Sequence, residues 1–207
     1  MTNDLVLYTN PMSRGRIARW MLEEVGQPYE TIVLDYATTM KGADYLAINP
    51  MGKVPAITHG DSMVTECAAI CAYLADAFPS AGLAPELTDP LRAPYLRWMF
   101  FCAGPLEAAL AVKGLGVEVS PEKSGMVGWG SFETVVERLD ALASAAAPYI
   151  LGDKFSALDV YVGSQIGFGL QFGSLPKLPS FEAYMATIMF RPAAIRAREI
   201  DDALLTG

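Results

Sequence analysis

"NPMGKVPAI", residues 49–57, sets a proline just ahead of a short apolar run. Proline has no N–H to give to a sheet ladder, so it is tolerated at the start of a strand and not within it. Val54-Pro55-Ala56-Ile57 therefore reads as a strand that begins at Pro55. A second β-rich run, Met63-Val64-Thr65, follows the turn His59-Gly60-Asp61, and the two form a predicted hairpin. Helical spacing then resumes over residues 66–78 through Ile70, Tyr73, Leu74 and Phe78.

Upstream, Asn49-Pro50 closes a short helix or irregular segment over 41–48, and Tyr29 to Leu34 is another β-rich run. Residues 14–25 put Ile17, Met21, Leu22 and Val25 on one helical face, with Gly26 as the natural stop. Leu5 to Tyr8 is an apolar strand. The order β-α-β-α-β-β-α, with a parallel right-handed first unit and a final antiparallel hairpin, is a thioredoxin-like plan.

Pro79, Gly82, Pro85 and Pro90 then punctuate the chain. Beyond them helical periodicity covers 91–113, 121–147, 156–171, 180–189 and about 192–205, with a kink expected at Gly104-Pro105. The expected organisation is α/β plus all-α: a domain at 1–78, a linker at 79–89 and a helical domain at 90–207.

The 207 residues carry a net charge of −8, which argues against nucleic acid as a partner because phosphate binding needs a basic face. No apolar run reaches the ~20 residues of a membrane span, and residues 1–4 lack the charged and apolar regions of a secretory signal. Cys67, Cys71 and Cys102 form neither a disulfide framework nor a zinc pattern. The lone histidine, His59, is assigned to the hairpin turn. These features lead to the expectation of a cytoplasmic protein whose chemistry rests on neither metal nor imidazole.

Four segments, spread over nearly the whole chain, resemble the cytosolic glutathione transferase family. In "NPMGKVPAI" the resemblance implies a cis Val54-Pro55 bond that turns the Val54 backbone toward an extended peptide, glutathione. "VTECAAICAYLAD", residues 64–76, places Glu66-Cys67 where the family has an acid followed by serine. The head of that helix would take the γ-glutamyl carboxylate and Glu66 the ammonium of the same residue. Cys67 departs from the pattern, being a weak donor where a hydroxyl is usual. "YILGDKFSALDVYVGSQIGF", residues 149–168, contains the capping box Ser156-Ala157-Leu158-Asp159 with Phe155 as its staple. "YLRWMFFCAGPLEAAL", residues 95–110, resembles a long helix facing the sheet domain; Trp98, Phe101 and Leu106, with Met12, would line an apolar electrophile pocket. Lys41 and Lys53 resemble the family's contacts to the glycyl carboxylate. A homodimer is a further implication.

"YTNPMSRGR", residues 8–16, occupies the strand-to-helix turn where a thiol–disulfide enzyme would carry two cysteines, and it carries none. The resemblance explains the loss, since glutathione brings its own sulfur. Its thiol, with a pKa of about 8.5, must lose about 2 units to be mostly thiolate at pH 7, which requires roughly 2.7 kcal/mol. One charge-assisted hydrogen bond supplies about 1.5–3 kcal/mol and a helix head about 0.3–1 more. Ser13 is the hydroxyl placed to give that bond, although the same oxygen is suited to capping the helix. Tyr8, Asn10 and Arg14 are rival donors, Asn10 and Arg14 being also candidate glutathione contacts. The implied activity is conjugation of glutathione, as co-substrate, to a hydrophobic electrophile. Glutathione-dependent peroxide or disulfide reduction, or a scaffold that binds without catalysis, are the alternatives.

Overall fold

Leu5–Thr9 (β1) alternates buried and half-buried residues, with Leu5, Leu7 and Thr9 fully inside, as a strand covered on one face requires. It pairs in parallel with Glu30–Val33 (β2) and antiparallel with Ala56–His59 (β3), which in turn pairs antiparallel with Ser62–Thr65 (β4). The sheet order is β2-β1-β3-β4. These relations come from a computed structural model that describes residues 4–205, so residues 1–3 of the opening stretch lie outside the described residues.

Gly15–Val25 (α1) buries the expected face, Ile17, Met21, Leu22 and Val25, and ends on Gly26 at φ 70°, whose N–H bonds the Leu22 carbonyl. Ala43–Ile48 (α2) is short, and Cys67–Ala77 (α3) follows the hairpin. His59 is a correction to the sequence reading. It belongs to β3, opposite Leu5 and Ser62, and the turn is Gly60-Asp61 alone. Its ring stacks on Phe78 at 5.3 Å, and its Nδ1 shares a hydrogen bond with the Tyr73 hydroxyl at 3.0 Å.

The chain forms two compact units, one reaching Leu83 and resuming at Phe190, the other Ala84–Met189. The second contains Arg92–Phe101 (α4), Glu107–Gly114 (α5), Phe132–Ala145 (α6), Ala157–Gln171 (α7) and Pro179–Ile188 (α8). Between α4 and α5, Cys102–Leu106 widens into a π-helical turn, which accommodates Pro105 without ending the helix. The helix expected from 121 starts only at Phe132. Gly125, Gly128 and Gly130 break the earlier stretch, and Ser131 caps α6 by accepting from the Thr134 N–H at 3.1 Å. The capping box of α7 is formed: Asp159 accepts from Ser156 N–H at 2.9 Å and from the Ile150 N–H and Tyr184 hydroxyl as well. Burial raises the Asp159 pKa against the lowering effect of those hydrogen bonds.

The last helix, Pro192–Ala203 (α9), groups with the sheet unit, whereas the sequence assigns it to the helical part. The physical reason is a row of ion pairs between antiparallel α1 and the C-terminal segment. Arg16 meets Asp202 at 2.8 Å, Arg19 meets Asp201 at 2.6 Å, Arg196 meets Glu23 at 3.0 Å, and Arg191 forks onto Glu24 at 2.7 and 2.8 Å. Arg19 and Asp201 are each only 1% exposed in their side chains. Arg19 also donates to the Tyr29 hydroxyl at 3.0 Å, which passes its own proton toward Glu23 at 2.7 Å. Burial, then the Glu23 bond, push the Tyr29 pKa up to about 12.

A buried charge left without its partner costs about 3–5 kcal/mol, while replacing both partners with apolar groups is often neutral. Asp201→Ala is expected to lower unfolding stability by about that amount in denaturant titrations. Arg19→Met with Asp201→Leu should recover most of it, and equal losses in the single and double variants would contradict the account.

Candidate functional site

The sheet register places three segments at one end of the first unit. Tyr8 at the end of β1 lies opposite Ala56 at the start of β3, and Ala56 lies opposite Thr65 at the end of β4. The turn after β1 (residues 10–14), the loop before β3 (residues 49–55) and the head of α3 (Glu66-Cys67) therefore leave the sheet side by side.

The first turn is held by its own polar groups. Asn10 Oδ1 accepts from the Met12 N–H at 2.9 Å, while Asn10 Nδ2 donates to the Leu34 carbonyl at 2.8 Å. The Oδ1 and one of the two Nδ2 protons are engaged in building the turn, so Asn10 brackets it. Ser13 Oγ donates to the Asn10 carbonyl at 2.6 Å and accepts from the Gly15 N–H at 2.9 Å. The hydroxyl thus takes up the N–H of the first residue of α1 from the position before its N-cap, Arg14. Gly15 is obligatory here: a Cβ would come within 1.9 Å of Thr9 Oγ1 and 3.0 Å of Ser13 Oγ. Met12 is 77% exposed at the tip, and Arg14 is exposed next to Ser13.

The second segment is pinned through its carbonyls. The Lys53 carbonyl accepts from the Tyr45 hydroxyl at 2.5 Å and from Asn49 Nδ2 at 2.8 Å, and Lys41 Nζ donates to the Gly52 carbonyl at 2.6 Å. Lys41 therefore spends one of its three donors on the loop itself. The Val54–Pro55 peptide is cis, as the resemblance implied. Val54 is half-buried, and neither its N–H nor its C=O is paired among the described residues. Paired backbone is the rule for buried groups, so an unpaired edge of this kind is suited to receive another backbone.

At the third segment Glu66 sits at φ 65° and ψ 122°, a positive φ without glycine's freedom. Such conformations cost about 1–3 kcal/mol and gather at ligand clamps. The Cys67 thiol approaches the Arg14 carbonyl at 3.8 Å. Burial pushes its pKa up to about 12, more than the Arg14 charge lowers it, so the thiol stays protonated. In the second unit Trp98 and Phe101 are half-buried and meet edge to face at 5.1 Å. Leu106 is a correction: fully buried in the π-helical turn, it belongs to the interior and offers no surface to a substrate.

A family model for the glutathione S-transferase N-terminal domain matches residues 12–77, the stretch that holds all but the outset of this site. A glutathione S-transferase of Xanthomonas campestris is 28% identical over 94% of this chain and 99% of its own length. A glutathione transferase of Methylococcus capsulatus superposes with a TM-score of 0.79 at 27% identity, covering 96% of this chain and 99% of that one. A sphingomonad glutathione S-transferase solved with glutathione gives 0.75 at 29% identity over 95% and 98% of the two chains. In sequence and in fold the chain is similar to glutathione S-transferases.

Three residues of this site went unread in the sequence. Tyr45 and Asn49 act only through the Lys53 carbonyl, which no local pattern announces. Gly15 had a signal, a glycine directly after the candidate capping serine and arginine, whose meaning depends on Thr9 lying beneath it.

Gly15→Ala is expected to cost about 1–3 kcal/mol in stability by overpacking against Thr9. Thr9→Ala in the same chain should restore part of the loss in thermal unfolding, and an unchanged midpoint in the single variant would refute the close approach. Cys67, its thiol held protonated by burial, should resist iodoacetamide under native conditions. Rapid alkylation at that position, read by peptide mass, would contradict its protonated state.

Proposed function

We propose that this chain is a glutathione transferase that binds glutathione at the shared end of β1, β3 and β4 and joins its sulfur to a small hydrophobic electrophile. The observation that carries the reading is the unpaired Val54 backbone, set by the sheet register beside the Ser13 turn and the head of α3. The cysteinyl part of glutathione pairs with Val54 as an added strand would. Its γ-glutamyl carboxylate takes the N–H groups at Glu66-Cys67, and its glycyl carboxylate lies toward Lys41 and Lys53. Cys67 contributes backbone, since its protonated thiol is a poor donor.

The hydroxyl of Ser13 has to leave the Asn10 carbonyl to serve the sulfur. That carbonyl keeps a partner, because the Ser13 N–H also donates to it at 2.9 Å. Giving up a neutral hydrogen bond costs about 0.5–1.5 kcal/mol, against about 1.5–3 gained from one to a thiolate. The Gly15 N–H continues to donate to Ser13 Oγ at 2.9 Å, which strengthens the hydroxyl as a donor. With the helix head adding about 0.3–1 kcal/mol, the balance lowers the thiol pKa by about 1–2 units. The thiol proton goes to solvent. A sulfur lone pair then forms the C–S bond while the leaving group departs with its bonding electrons, or a strained ring opens.

Met12, exposed at the tip of the first turn, is the apolar surface of the first unit assigned to the electrophile. The reading extends to a cytoplasmic homodimer that uses glutathione as co-substrate and needs no metal.

The test is the ultraviolet thiolate absorbance of bound glutathione, titrated against pH. Ser13→Ala should raise the apparent pKa by about 1–2 units while retention on immobilised glutathione persists. An unmoved pKa removes Ser13 from the role and turns attention to Tyr8→Phe; loss of all glutathione binding by the wild-type chain would end the proposal.

A further inference from the structure

Arg16 touches the Ser13 turn twice and the C-terminal helix once. Its backbone N–H donates to the Ser13 carbonyl at 3.4 Å, and its Nε donates to the Pro11 carbonyl at 2.6 Å. Its Nη2 reaches Asp202 Oδ1 at 2.8 Å, on the far side of the sequence in α9. One guanidinium thus ties the peptide between Asn10 and Ser13 to the C-terminal helix. A planar fork suits that task, since two N–H groups fixed in one plane set two acceptors relative to each other.

We propose that Arg16 and Asp202 are positioning residues for the thiolate-binding turn, so that the C-terminal helix sets where the Ser13 hydroxyl points. Neither residue touches the substrate; both act through the Pro11 carbonyl. The stability at stake is small, because the Arg16 and Asp202 side chains are 26% and 56% exposed and exposed pairs contribute little. Position matters more than strength here. Asn10 and Ser13 hold the turn from within, but among the described residues the Pro11 carbonyl is held by Arg16. Without Asp202 the guanidinium is free to swing toward solvent, and the carbonyl loses a donor that the Ser13 geometry was built around. The remaining three ion pairs along α1 lie further from the turn and anchor the helix without reaching it. This inference rests on the role proposed above for Ser13, and the experiment separates the two.

The pH titration of the glutathione thiolate absorbance is repeated on the full-length chain carrying Asp202→Asn, Arg16→Met, Asp202→Glu or Arg196→Met, beside Ser13→Ala. Asp202→Asn and Arg16→Met should raise the apparent pKa by about half a unit or more, toward the Ser13→Ala value. Asp202→Glu should return it toward wild type. Arg196→Met breaks an exposed pair on the same helix interface and should lower the melting temperature to a similar degree with the pKa unmoved. If Ser13→Ala shifts the pKa and Asp202→Asn does not, the positioning role is overturned and the role of Ser13 stands. If Arg196→Met shifts it as far as Asp202→Asn, or Asp202→Glu restores nothing, the effect is general loosening and the inference fails. If Ser13→Ala itself leaves the pKa unchanged, the role of Ser13 falls and the inference falls with it.

Discussion

Arg19 and Asp201 are almost wholly removed from water, and a charge in that setting must keep its partner. This constraint fixes α9 against α1, and α1 in turn presents its head to the end of the sheet. The pair is expensive to make, and much of the attraction at 2.6 Å is spent on desolvation. What it supplies is register. With Arg19 facing Asp201 in this antiparallel pair, Arg16 meets Asp202 and Glu23 meets Arg196. Tyr29 and Thr31, which also accept from Arg19, extend the same constraint into β2.

The end of the sheet at Tyr8, Ala56 and Thr65 is held differently. There the chain uses hydrogen bonds from a side chain to a carbonyl: Asn10 to Leu34, Ser13 to Asn10, Tyr45 and Asn49 to Lys53, Lys41 to Gly52. These groups shape loops and leave the adjoining Val54 backbone unpaired. An edge that the protein does not complete is available to a peptide guest. The positive φ of Glu66 belongs to the same scheme, since a strained residue persists only where its surroundings over-determine it.

Much of this was legible in the sequence because the signals were local. Pro55 marked the start of β3, Gly26 ended α1, and Ser156 and Asp159 marked the start of α7; each acts on backbone within a few residues of itself. The order of strands and helices followed from periodicity, which needs only a window. The misreadings share the opposite property. His59 reads as a turn residue because its strand partners Leu5 and Ser62 cannot be seen from its own neighbours. Leu106 read as a pocket residue because helical spacing does not say which of two apolar faces is the interior. The helix expected from 121 overlooked that three glycines within six residues weaken it more than its charged residues favour it. Arg19 carried no sequence sign of burial at all, since its partner stands 182 residues away.

That separation bears on how the chain is made. Arg19 leaves the ribosome long before Asp201 exists, and closing so wide a loop is an entropic cost that must be met before the contact repays it. The sheet that carries the Ser13 turn is synthesised first and finished last, for α9 is needed to neutralise a cation already folded inward. A nascent or prematurely terminated chain lacking α9 would expose an unmatched arginine and an apolar helix face together, a surface that invites capture by a chaperone or disposal by a protease.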